Sequence, residues 1–375
     1  MTDLSLKDWV FNLDENILNF LDSLKTDDYE YSPLNSGVTE EGRKIKLGFS
    51  CYALKIKYIL NDNDINNDKY LKEAELYLNS YQRNNIQFPD NSYIDKNFLL
   101  FHKNPKINKV TKEAAKKIIN LINKDRYLDK NTVLRNYIRA ETKQAISTLY
   151  QIGHTNKIKY TDFPHKKKEI EDFLDNQNWR YPWNAGAQFS TLCVFSKTQL
   201  EVKVFEEVKL NLETYINKIS DKETGTYFQH KMPNSKESIN GAMKVITGLD
   251  WLDMEIHYPD NLIDFCLESD IELEGCDIVD IVYVMYKCSQ QTNYKRKEVI
   301  TYLNNLVEII KLNYLQKEGA FSYYFQSSQR YYYGLKISKG LKTADIHGSL
   351  LLLWALSMIF EITELETKNW NILKP

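Results

Sequence analysis

The sequence predicts an all-α protein, a single-domain (α/α)6 toroid in which helical hairpins close into a ring. Three observations carry that expectation. Apolar residues recur at three-and-four spacing along most of the 375-residue chain, while strand-like alternation, Pro and Gly are sparse. Two kinds of helical segment take turns along it, one wet on one face and the other apolar nearly all round. The turns from the first kind into the second share a Gly or Trp beside aromatic residues, which gives a loose internal repeat.

In chain order, the amphipathic segments fall at about 7–25, 110–126, 165–176, 202–219, 259–269 and 294–316, as in FEEVKLNLETYINKI. The apolar segments, carrying small residues, fall at about 47–60, 132–151, 184–198, 238–252, 277–289 and 345–361, as in GSLLLLWALSMIF. A helix with one apolar stripe needs one buried face; a helix apolar all round needs cover on most sides. The alternation therefore puts a wet outer layer around a dry inner one. A segment near 69–83 reads as an extra helix, and 84–109 reads as an irregular insertion. The connections DNQNWRYPW (175–183), DKETGTYF (221–228) and LQKEGAFSYYF (315–325) each lead from an outer helix to an inner one. No sharp linker interrupts 1–375, so one domain is expected.

The formal net charge of −2 argues against a nucleic-acid binder driven by phosphate neutralisation. Local Lys runs such as HKKKEI (165–170) read as solvated helix surface. The five cysteines, Cys51, Cys193, Cys266, Cys276 and Cys288, are scattered and form no CxxC, which fits a reducing compartment. The first residues, MTDLSLKDWVFNLDENILNFL, carry acids and no continuous apolar run, so neither a signal peptide nor a membrane span is expected. The expectation is a cytoplasmic protein. The 26 tyrosines go with abundant Asn, Lys and Ile and are read as compositional bias.

YLQKEGAFSYY (314–324) resembles the repeat of the terpenoid-cyclase and protein-prenyltransferase families, in which a helix runs into Gln, a glycine turn and Phe. DIHGSLLLLWALS (345–357) is similar to the start of a late inner helix in prenyltransferase β-subunits. The resemblance covers about the C-terminal half of the chain. The general α/α ring is shared with six-hairpin glycosidases, uronate lyases and epimerases, and a shared ring does not fix chemistry. It implies parallel inner helices whose N-termini meet at one mouth, where free N–H groups and the positive dipole ends collect. It also implies zinc held through Asp, Cys and His in the prenyltransferases. Here Cys276 directly precedes Asp277, and His347 follows Asp345 by two, an order unlike that family's, so no metal and no cofactor are expected. The Asp-rich motif of class II cyclases is absent, as are a P-loop, a dinucleotide fingerprint, a nucleophile elbow and HExxH.

Four polar clusters stand at the inner helix starts. Trp179, Arg180, Trp183, Asn184 and Gln188 combine flat aromatics with amides four apart on one face, which suits a sugar ring, with Arg180 suited to an anionic group. Asn184 equally suits a helix cap, with the tryptophans packing the ring. Asn240 and Lys244 share a face, and a lysine on a dry helix must snorkel or find a partner. Asp277 and Asp280 are placed to act as acid and base or simply to favour a helix start. Asp345 and His347 follow Tyr331, Tyr332 and Tyr333; a histidine at a helix start is held neutral and suited to moving protons.

The leading expectation is an intracellular enzyme acting on a carbohydrate or glycoconjugate, a small-molecule or glycan substrate, by hydrolysis, elimination or epimerisation. His347 or an acid of the 277/280 pair moves the proton, a tyrosine such as Tyr332 donates to the leaving oxygen, and Arg180 or Lys244 holds an anionic group. The alternatives are a cyclase- or prenyltransferase-like enzyme, with or without zinc, and a non-catalytic binding or scaffold protein. The oligomeric state is left open.

Overall fold

The computed structural model describes residues 6–85, 87–103, 130–270, 274–365 and 369–375. The chain is mostly helical, and its described strands form only short two-stranded ladders. In order the described helices are α1 (Leu6–Leu24), α2 (Glu40–Lys44), α3 (Leu47–Ile59), α4 (Asp68–Asn79), α5 (Lys96–Lys103), α6 (Lys130–Gln151), α7 (Lys167–Asp175), α8 (Pro182–Gln199), α9 (Val202–Ile219), α10 (Ser235–Trp251), α11 (Pro259–Glu268), α12 (Cys276–Gln291), α13 (Arg296–Leu312) and α14 (Ile346–Ile362).

The expected alternation is present. The apolar segments become α3, α6, α8, α10, α12 and α14, and α3 buries every residue except Tyr58. The amphipathic segments become α1, α7, α9, α11 and α13; the one expected at 110–126 lies outside the described residues. In α9 the buried residues are Phe205, Val208, Leu212, Tyr215, Ile216 and Ile219, one stripe against α8. Burying each such large side chain contributes roughly 1.5–3 kcal/mol.

α3 packs on α6, α6 on α8, α8 on α10, α10 on α12, α12 on α14, and α14 back on α3. Neighbours run parallel, because contacts climb together. Gly48 meets Gln144 while Lys55 meets Ser147. Asn240 bonds Asp277 while Asp250 bonds Tyr283. The α8–α10 pair is especially close: a Cβ on Gly241 or Gly248 would lie 2.6 Å from Pro182 or Phe189. Residues 33–39 are zipped to 337–346, with Thr39 N–H donating to Ile337 and Ile346 N–H to Pro33, both at 2.9 Å.

Local chemistry moves some helix starts earlier than the periodicity alone places them. α8 begins at Pro182, whose fixed φ suits the first helical position. α10 begins at Ser235 because Asn234 accepts the Glu237 N–H at 2.9 Å. The stretch read as an irregular insertion holds regular structure up to Lys103: Gln82–Asn85 pairs antiparallel with Phe88–Tyr93, and α5 follows. Tyr93 anchors this hairpin, its N–H donating to Thr142 and its hydroxyl to Asn79. The extra helix is α4, started by Asn67, which accepts from Lys69 and Tyr70 N–H.

All five cysteines are free, and four of them are buried. Among the described residues no helix is long and apolar enough to cross a membrane.

Candidate functional site

The start of α14 is the best-built point at the inner helix ends. Asp345 caps the helix, its Oδ1 accepting the Gly348 N–H at 2.8 Å. Its Oδ2 accepts N–H groups from Tyr323 at 2.9 Å and Gln329 at 3.1 Å. Burial pushes the carboxyl up to about 6 while these backbone donors pull it back. At neutral pH it is an anion with both oxygens occupied. Asp345 therefore pins the loop carrying Tyr323 to the helix carrying His347, and does not itself face a reactant.

His347 lies between two rings. Tyr52 of α3 stacks on it at 4.6 Å and 7°, and Tyr323 at 5.0 Å and 29°. Its Nδ1 is buried with no hydrogen-bond partner. Burial, reinforced by the positive charge of Lys244, pulls the imidazole down to about 3, so it is neutral.

Several side chains of these elements keep contact with solvent. These are His347 itself, Lys143 and Tyr333, the last 44% exposed. Lys143, from α6, has no hydrogen-bond or ion-pair partner among the described residues. Burial, with Lys55 and Lys244 adding like charge, pulls its ammonium down to about 7. Lys55 of α3 is buried with only the Ser147 hydroxyl at 3.4 Å, and burial pulls it down to about 8. Lys244 of α10 stands 3.8 Å from Asp280 of α12 and is 26% exposed. Asp280 is buried, its Oδ2 has no partner, and burial raises it to about 6 against the pull of Lys244. The charge of Lys244 thus acts on Lys143, Asp280 and His347, each from a different helix.

Asp277 has a different setting from Asp280. Lys236 lies 2.6 Å from its Oδ2, and Asn240 donates to its Oδ1 at 2.8 Å. These contacts occupy Asp277 and Asn240 one turn nearer the helix starts than the Lys244–Asp280 pair. Tyr332 also turns out to be spoken for: it is buried, and its hydroxyl donates to Glu141 Oε1. Burial holds Glu141 up to about 8, against the pull of that bond. Its neighbour Tyr333 is left in contact with solvent. It occupies the tip of a hairpin, Tyr331–Tyr332 pairing with Leu335–Lys336, with φ 44° at Tyr333 and 78° at Gly334. Both central residues of such a tight turn need positive φ. Glycine adopts that freely; for tyrosine it stores roughly 1–3 kcal/mol of strain, a state typical of functional sites. Its ring meets Tyr137 edge-on at 5.0 Å.

The first cluster divides. Trp179 is buried, bonds the Leu174 carbonyl at 3.0 Å and packs near Tyr215, so it serves the wall. Arg180, Trp183 and Asn184 are exposed at the start of α8, with Asn184 the third helical residue rather than the cap. Gln188 accepts a hydrogen bond from Arg139 of α6 at 3.0 Å.

Sequence reading missed Lys55, Glu141, Lys143, Tyr52 and Tyr323. For the charged three a signal existed, since the reasoning that singled out Lys244, a charge on a dry helix, applies equally to them. Tyr52 and Tyr323 gave none among so many tyrosines. Among the described residues no three His, Cys, Asp or Glu side chains are grouped closely enough to hold a metal.

No family model matches this chain, and no curated protein does. Among solved structures it is similar to a polysaccharide lyase, at a TM-score of 0.43 and 10% identity, over 96% of this chain and 98% of that one. A score that low does not establish a shared fold.

Proposed function

We propose that the six parallel helices form the inner wall of an α/α toroid, and that the hollow at their N-terminal ends is the active site of an enzyme that moves a proton on a carboxylate-bearing sugar. The single observation that carries this reading is a neutral, stacked imidazole with an unpartnered nitrogen in the field of Lys244 of α10, a field that Lys143 of α6 shares.

Removing a proton from the carbon next to a carboxylate needs a neutral base and a cation to hold the charge that develops on the carboxylate. His347 is the base, and Lys143 and Lys244 are the cations. An anion seated between Lys244 and His347 also reverses the charge effect on the imidazole and raises its affinity for the proton. In elimination the C–H electron pair becomes a C=C bond and the neighbouring C–O bond breaks. The leaving oxygen takes its proton from Tyr323 or Tyr333. Without a leaving group, return of the proton to the other face gives epimerisation. The lysines favour this over an isoprenoid tunnel, where charged groups would be desolvated without a partner.

The test is incubation of the purified protein with a panel of polyuronates in deuterium oxide, following unsaturated products and deuterium uptake at the acidic carbon. The expected outcome is one or both with the wild type, and at least a hundredfold loss with His347→Gln. Absence of both on every uronate, or an unaltered rate in His347→Gln, would overturn the reading.

A further inference from the structure

A cavity of about 360 Å³ lies along the same lysine-bearing helix, one to two turns before Lys143, and His347, Lys143 and Lys244 do not line it. That volume is within the range of small-molecule sites. Phe88, Pro89 and Ile138 give it an apolar side; Arg135, Arg139, Tyr160 and Asp162 give it a polar one. Arg139 is held in place: its Nη1 donates to Gln188 at 3.0 Å, and its guanidinium lies 5.1 Å from the Phe173 ring. Neither contact neutralises it, and among the described residues no carboxylate forms an ion pair with Arg139 or Arg135. With Arg135 beside it the polar wall carries two guanidinium groups against the one carboxylate of Asp162, and a guanidinium already fixed and not in a direct ion pair is suited to a carboxylate or sulfate, which it grips with parallel N–H bonds.

The position of the cavity follows from helix register. Glu141 sits beside Gly48, the second residue of α3, so the α6 residues before it, 130–140, project beyond the start of α3. Arg135 and Arg139 are on that projecting part. Lys143 follows at the same four-residue interval, ~12 Å along the axis from Arg135. One sugar ring does not bridge that distance.

We propose that this cavity is a rim subsite for an acidic sugar unit of a polymeric substrate, bound by Arg135 and Arg139 while the reacting unit lies at His347. This rests on the reading of the central hollow as the place of reaction. The mixed wall favours a sugar carrying an acid over a bare oxyanion, because an inorganic ion makes no use of the apolar side.

The test is calorimetric binding of oligogalacturonate, its carboxyl-reduced counterpart, galacturonate monosaccharide and inorganic sulfate. The protein is the full chain with His347→Gln, with and without Arg135→Ala and Arg139→Gln. The expected outcome is tight binding of the acidic oligomer only, weakened at least tenfold by the arginine changes. Arg135 is exposed, so Arg135→Ala keeps the test valid should Arg139→Gln disturb the packing on Phe173. Unchanged oligomer binding in both variants overturns the subsite, as does sulfate or the reduced oligomer binding as tightly as the acidic one. If the arginine effect on binding is present while the wild type turns over no uronate, the subsite stands and the reaction assigned to His347 falls. If uronates are turned over with the same KM in the arginine variants, the subsite alone falls.

Discussion

Glu141 is the residue through which stability and the site meet most directly. It is 1% exposed, accepts a hydrogen bond from Tyr332, and leaves Oε2 without a partner. Burial holds its pKa at about 8, against an ordinary 4.5. A carboxyl raised on folding has no penalty at low pH, where both states are protonated. As pH rises past 4.5 the unfolded chain releases this proton and the folded one keeps it, so folding loses free energy until about pH 8, where the loss levels off. At 1.36 kcal/mol per pH unit that interval is worth ~5 kcal/mol as an upper bound, to order of magnitude. Glu141→Gln removes the titration and keeps an oxygen for Tyr332. Its buried NH2 brings a penalty of its own, but one that does not depend on pH. The stability of the variant relative to the wild type is therefore expected to improve by several kcal/mol between pH 5 and pH 8. Urea unfolding at the two pH values measures this. If the difference between variant and wild type is the same at both, Glu141 is not held protonated, and the account of how it supports the Tyr332–Tyr333 hairpin fails.

Two further outcomes are expected. Asp345→Ala removes the cap of α14 together with the tie to Tyr323 and Gln329; a lost cap alone costs about 1 kcal/mol, and loss of the buried bonds brings the total to ~3 kcal/mol in urea unfolding. Asp345→Asn, which keeps one acceptor, is expected to cost less than Asp345→Ala. Gly48→Ala places a methyl against the hydroxyl end of Tyr332 beside Glu141, so overpacking of about 1–3 kcal/mol is expected. A Gly48→Ala protein with unaltered thermal stability would show that the Tyr332–Glu141 contact yields freely.

The helices were legible because they rest on burial, and burial writes itself into spacing. α3 and α14 are buried on nearly every side and α9 on one, and the alternation of the two kinds needed nothing more. Helix starts were less legible, since Asn234 and Pro182 act through one bond and one dihedral that periodicity does not register. The site was legible in part. Asp345 and His347 announced themselves as a cap and a first-turn histidine, and Lys244 as a charge on a dry helix. Tyr332 and Tyr333 are adjacent in sequence and opposite in setting; the two-residue tip that turns one inward to Glu141 and the other to solvent is a property of pairing register. Asp277 and Asp280 likewise look equivalent until Lys236 and Asn240 take up the first.

The contact of α14 with α3, and the ladder of bonds joining 33–39 to 337–346, also set the order in which this chain can be completed. Five of the six inner helices leave the ribosome before the seam between the two ends has a second side. Pairings so distant in sequence carry a high loop-closure cost and slow folding. His347 and Tyr52 stand on opposite sides of that seam. The imidazole finds its stacking partner only when these two ends meet, so the His347–Tyr52 pairing arrives with the last joint rather than with the bulk of the structure.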